Sequence, residues 1–263
     1  MLNIPLFKRT VRTNGRRWLC CTGFLVLLML LAVGLYHPEK GGLFRWIPGT
    51  LAQALGIDGN ASGLTEYLAS CLFGFFYPAA ALLYGGVTAE RLMAEKVETG
   101  TMVYLLSAPS KRKTVAATQA YFLVMSLFAM FFCTGVAGGI IIALLCPGKL
   151  DITQYILLHI GGFCLELALA GIGFLASCAV NEGSRALAVG LGVPGIFLAL
   201  SMLANMGGIL GILKYTTIFT LFQGADVLTG SLQICWKFPA LAAVGFACIA
   251  LGTRLFRVRD LPL

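Results

Sequence analysis

Charged residues are scarce in this sequence. Asp, Glu, Lys and Arg make up 11% of its 263 residues, against roughly a quarter in soluble globular domains. That deficit excludes an ordinary water-soluble fold, whose surface needs charge to face solvent. Histidine is almost missing: His37 and His159 are the two present, too few for a His-rich metal or hydrolytic centre, and no HExxH occurs. Gly148-Lys149 is followed by Leu150 and has no glycine at the required distance upstream, so there is no GxxxxGK[ST] phosphate loop. GxSxG is absent as well. None of the nine cysteines forms a CxxC pair, which removes the usual basis for a zinc ribbon or dithiol site. Most lie in apolar runs and read as small buried hydrophobes, while Cys146 and Cys235 fall near span ends where they could pair. These absences argue against an enzyme acting alone, and no cofactor or metal is expected on this chain.

What is abundant is hydrocarbon. Hydrophobic residues make up 59% of the chain, and a helix needs about 20 of them to cross a core of about 30 Å. The length accommodates about six spans and leaves no room for a separate soluble domain. The expected fold is therefore all-α, a single polytopic membrane domain over residues 1–263. The net charge of +8 is spread among the spans without a basic face or aromatic-interleaved patch, so no nucleic-acid partner is expected; membrane lipid is.

Residues 1–17 carry Lys8, Arg9, Arg12, Arg16 and Arg17 among Leu6, Phe7 and Val11, and suit a short amphipathic interfacial helix or a basic tail. Six spans follow at about 18–36, 64–89, 114–146, 152–179, 186–204 and 237–256. The first is an uncleaved anchor, because its apolar run exceeds that of a signal peptide. Pro38, Pro48 and several glycines mark residues 37–63 as an outer loop with a short interfacial helix near residues 49–57. The third run is too long for a perpendicular span, so it tilts or projects beyond the hydrocarbon. Pro194 predicts a kink in the fifth span. Residues 205–236 hold apolar pieces too short to span and read as outer or partly re-entrant helices. His159 and Glu166, seven residues apart on one face of the fourth span, are its intramembrane ionisable residues. They are candidates for a pathway or, equally, buried polar ties between helices.

Orientation follows from basic residues. With both termini, residues 90–113 and residues 181–185 on one side, that side holds fourteen Lys and Arg and the other five. By the positive-inside rule, the termini and both breaks are expected in the cytoplasm.

Residues 90–113 (ERLMAEKVETGTMVYLLSAPSKRK) are the longest charged interruption. Within them, Glu98-x-Gly100-Thr101, then Leu105-Leu106-Ser107-x-Pro109 and Lys111-Arg112, resemble the cytoplasmic loop of type-2 ABC exporter permeases, whose usual form is E-x-G-T, an apolar turn, L-L-x-x-P and a basic residue. The resemblance extends to the basic start, the six spans and the closing Phe256-x-x-Arg259-Asp260-Leu261. Ala108 and Ser110, where the family often has Thr and Val, and Val97, where many members have a charge, depart from it.

This resemblance implies a membrane-spanning permease subunit of an ATP-driven exporter, in the plasma (inner) membrane of a prokaryote. A separate cytoplasmic ATP-binding subunit would carry ATP and Mg, and a second permease copy or a related permease would complete the pathway. It also implies a coupling helix between spans two and three. The residues suit that role: Leu92, Met93 and Val97 offer an apolar edge to a partner groove, and Glu90, Glu95 and Glu98 can meet basic groups. Gly100 allows a sharp exit and Pro109 separates the docking piece from span three, with Thr101 completing the motif. An ordinary solvated loop is the plainer reading of the same stretch. Asn181, Glu182 and Arg185 form a second cytoplasmic break, either a short polar turn or a second contact. A different functional class, a proton-coupled secondary transporter using His159 and Glu166, stays open, as does a non-transporting membrane scaffold.

Overall fold

The structure is a computed structural model that describes residues 3–36, 48–55, 63–107 and 111–259. Among these there is no strand, and six helices are long and apolar enough to cross a membrane. The chain thus has the architecture of a multi-pass, all-helical membrane protein.

Helix α1 (Ile4–Gly34) starts cleanly because the Asn3 side chain accepts from the Leu6 N–H and Pro5 occupies the first turn, where no N–H is needed. It runs unbroken from the basic segment into the apolar one. No break separates the basic segment, expected as an interfacial helix, from the span: the two form a single rod. The reason is tertiary: the basic half lies against helix α7 (Arg112–Leu145), with Phe7 packed on Tyr121 and Phe122 and Thr10 Oγ1 bonded to Gln119 Oε1 at 3.3 Å. At 1.5 Å per residue, α1 is about 46 Å long and α7 about 51 Å, both longer than the bilayer core. The excess of each supports the other. Farther along, Trp18 Nε1 donates to the Ser126 carbonyl at 2.9 Å.

Helix α2 (Gly49–Ala54) falls where a short helix is expected. The second span is made of α3 (Leu64–Cys71), a π turn (Leu72–Phe76), α4 (Tyr77–Leu92) and α5 (Ala94–Glu98). Pro78 has no N–H to return to the preceding turn, and the helix widens just before it. A short α6 (Thr101–Ser107) then leads toward α7.

Helix α8 (Ile152–Ala179) occupies the centre, packed by α4, α7, α9 (Gly183–Asn205) and α11 (Ile234–Val258). It begins at Asp151, whose carboxylate accepts from the N–H groups of Thr153 and Gln154. Its approach to α11 is backbone on backbone: a Cβ added at Gly245 would lie 2.7 Å from the Leu167 carbonyl oxygen, and one at Gly171 2.7 Å from that of Gly245. Small residues at a crossing permit such contact in lipid, where packing rather than water expulsion draws helices together. Pro194 lies within a continuous α9.

Between α9 and α11 come 3-10 turns (Gly208–Thr216 and Ile218–Leu221) and α10 (Gly224–Leu228). Phe219, Phe222 and Val227 are buried there, and Asp226 pairs with Lys237 at the start of α11. All nine cysteines are free thiols, Cys146 and Cys235 included.

Candidate functional site

Residues 90–107 and the break before α9 meet at one end of the bundle, here termed the loop end. Both ends of the described chain lie there too: the Asn3 N–H donates to Thr118 Oγ1, and the Arg259 carbonyl accepts from Arg112. Arg259 in turn donates to the Cys178 carbonyl at 3.1 Å, closing α11 against the last turn of α8.

The centre of this junction is the first turn of α9. Glu182, at its N-cap, makes no side-chain cap. Glu98, far away in sequence, takes that role: its Oε2 accepts from the Gly183 N–H at 2.8 Å. Glu90 approaches the same point, since a Cβ at Gly183 would meet Glu90 Oε1 at 2.5 Å and Glu98 Oε2 at 2.7 Å. Two carboxylates thus converge on the N-terminus of a 23-residue helix, where unpaired N–H groups and the peptide dipoles favour negative charge.

A second tie lies behind it. Ser177 Oγ donates to the Ala89 carbonyl at 2.8 Å and accepts from the Ala94 N–H at 3.1 Å. These two groups flank the irregular turn at Met93 (φ −126°, ψ −66°), so one hydroxyl of α8 fastens the bend between α4 and α5. Sequence reasoning missed Ser177. Its signal was a lone hydroxyl in the last apolar turn of the span, which must bond to something when buried.

The apolar edge expected for a partner is a correction. Leu92, Met93 and Val97 are buried in the protein's own core. The bend at Met93 turns that face of α5 inward, because an apolar face gains more from packing on α4 and α9 than from facing water. What faces outward is Thr99, Thr101, Val103 and Tyr104, the last 79% exposed. Glu95 pairs loosely with Arg91 at 3.9 Å. Gly100 has φ +68°, a left-handed turn that other L-residues resist, in accord with the sharp exit expected of it. Thr101 Oγ1 donates to the Lys96 carbonyl and so joins α6 to α5. Pro109 lies outside the described residues. In the second break, Glu182 and Arg185 form an exposed pair at 2.8 Å, and Asn181 holds a buried Oδ1 without a hydrogen-bond partner.

His159 and Glu166 are both buried in α8, but they do not form one site. Seven residues of helix separate them by about 10 Å along the axis. His159 sits in an aromatic cage of Phe73, Tyr77 and Tyr155, with Nδ1 3.1 Å from the Tyr155 carbonyl and Nε2 unpartnered. Glu166 is 1% exposed, and neither carboxyl oxygen has a hydrogen-bond partner. The space beside it exists because position 85 is glycine: a Cβ there would lie 2.8 Å from Glu166 Oε1.

Among the described residues, no group of three or more His, Cys, Asp or Glu could hold a metal ion. What the loop-end geometry does is connect: hydrogen bonds tie α4, α5, α8, α9 and α11 into one unit at the ends of four spans. Compared with known proteins, no family model matches the chain and no curated protein matches it.

Proposed function

We propose that this chain is the permease subunit of an ATP-driven transporter of the exporter type, acting with a separate cytoplasmic ATP-binding subunit in the plasma membrane of a prokaryote. The observation that carries this reading is the Glu98–Gly183 hydrogen bond. It makes the loop between spans two and three part of the same rigid junction as the start of span five. A force applied to α5 and α6 from outside would reach the spans directly, as a rigid-body transmission requires. The docking surface is the outward side of this stretch, Thr99, Thr101, Val103 and Tyr104, framed by Glu95 and Glu98. Leu92, Met93 and Val97 serve as the packed root of the lever. ATP and Mg belong to the partner. Because Phe73, Tyr77 and Phe174 fill the middle of the bundle, the pathway needs a second wall, supplied by another copy or a related permease.

The test uses the chain reconstituted with the ATPase that copurifies with it. Glu98→Arg removes the acceptor and sets a cation against a helix N-terminus; Gly100→Val places a β-branched residue at positive φ. Both should insert normally and leave ATP hydrolysis running while substrate movement falls at least tenfold. Unchanged transport in both variants would sink the reading.

A second reading draws on Glu166, whose buried oxygens lack hydrogen-bond partners. In a proton-coupled carrier, Glu166 would exchange the proton. That reading requires flux in proteoliposomes driven by a pH gradient without any ATPase, and its loss in Glu166→Gln.

A further inference from the structure

A cavity of about 550 Å3 opens at the loop end between the basic half of α1 and the α4–α6 segment. Its size falls in the range of about 300–1,000 Å3 typical of small-molecule sites. Four cations line it, Arg9 and Arg17 from α1 and Arg91 and Lys96 from the facing helices, against one carboxylate, Glu95. Glu95 is engaged with Arg91. Arg9, Arg17 and Lys96 have no ion-pair partner among the described residues. Lys96 feels the repulsion of Arg9, offset in part by the smaller attraction of Glu95. Such crowding of like charge is relieved by an anion.

A second groove, about 640 Å3, adjoins it, and Arg17 lines both. Apart from Arg16, Arg17 and Thr88 its lining is largely apolar, with Cys20 and Phe24 on one side and Leu83 and Val87 on the other. Phe24 and Leu83 are exposed hydrophobic side chains along it. Arg17 is the last charged residue before the apolar run that opens at Trp18, so it stands at the boundary where a phospholipid carries its phosphate. Polar cavity, boundary arginine and apolar groove thus follow one another in the order of the parts of an amphiphile.

We propose that this cleft binds one anionic phospholipid from the leaflet at the loop end, its phosphate headgroup held by Arg9, Arg17 and Lys96 and one acyl chain lying between α1 and α4. Charge complementarity selects the headgroup, as in basic pockets between transmembrane helices. The groove selects a lipid over free phosphate, since phosphate would leave those walls uncovered. Glu95, Thr99, Thr101 and Tyr104, proposed above as docking residues, also line this cavity, so lipid binding is measured on the chain without its partner and does not rest on transport.

The test measures lipid retained by the full chain, purified in neutral detergent, by native mass spectrometry during titration with phosphatidylglycerol, phosphatidylcholine or inorganic phosphate. One phosphatidylglycerol per chain is expected, held at least tenfold more tightly than phosphatidylcholine. Arg17→Gln and Lys96→Gln should each weaken it at least fivefold; Arg12→Gln, at an exposed position of α1 away from the cavity, should not. Leu83→Trp, which fills the groove, should reduce phosphatidylglycerol retention. Arg17 and Leu83 are exposed and Lys96 is half-buried; an unfolding temperature in neutral detergent equal to that of the unaltered chain confirms that each variant folds. Equal retention of both lipids, equal loss in Arg12→Gln and Arg17→Gln, or full competition by inorganic phosphate with no effect of Leu83→Trp would overturn the proposal.

Discussion

Ser177, Glu98 and Arg259 at the loop end and Glu166 in the middle of α8 are treated in opposite ways. At the loop end, Ser177, Glu98 and Arg259 each bond to the backbone of another segment. In the middle, Glu166 is buried between helices with no hydrogen-bond partner on either oxygen, and contact there is made by small residues such as Gly85, Gly171 and Gly245. The difference follows from the position of water. Helix ends carry unpaired N–H and C=O groups that must be satisfied, whereas the interior of a span has used its own backbone groups and needs only close packing. A polar side chain at the ends is therefore a fastener. One in the middle contributes nothing to cohesion unless it has a partner, so its presence asks for a different reason.

Substitutions can break or sharpen this contrast. The largest effect is expected for Ser177→Ala, which deprives the Ala89 carbonyl of its donor and leaves the buried Ala94 N–H unpaired. A loss of about 1–3 kcal/mol is expected, read as a lower unfolding temperature in detergent and faster amide exchange at Ala94. No change in either would mean that water replaces the hydroxyl and the fastener is dispensable. Glu166→Met, similar in length and without oxygens to satisfy, should have the opposite sign, a gain of about 1 kcal/mol. A drop in unfolding temperature would show that Glu166 does have a partner, and the contrast would fail. The smallest effect belongs to Arg185→Ala. Arg185 and Glu182 are 73% and 51% exposed, and such surface pairs contribute under about 0.5 kcal/mol. A loss above 1 kcal/mol there would make the second break more than a polar turn.

Legibility in the sequence follows the same division. Spans three and four, expected at residues 114–146 and 152–179, are the helices Arg112–Leu145 and Ile152–Ala179. The turn expected at Gly100 has its positive φ. The excess length of the third run is explained by its partnership with the basic half of α1, a contact no local pattern announces. At the candidate site, Glu98 was singled out for a basic partner, yet what it holds in this chain is a backbone N–H 85 residues away. Leu92, Met93 and Val97, expected to offer an apolar edge to a partner groove, are instead buried in the chain's own core. They are buried because α8 and α9 offer packing surfaces to α4 and α5 that the stretch itself does not contain.

By itself, then, the sequence determined the number of membrane-length apolar helices, most of their limits, the same-side arrangement of the described chain ends and the position of a forced left-handed turn. These depend on hydropathy and backbone preference, which sum over neighbours in the chain. The tertiary structure decided which faces α5 hides, that α1 is one rod, and which acceptor caps α9. It also set Arg17 between a basic cavity and an apolar groove. Those outcomes depend on how helices are rotated against one another, and that rotation is fixed by contacts between residues far apart in sequence, with glycine-lined approaches such as Gly171 on Gly245 determining how near the helices can come.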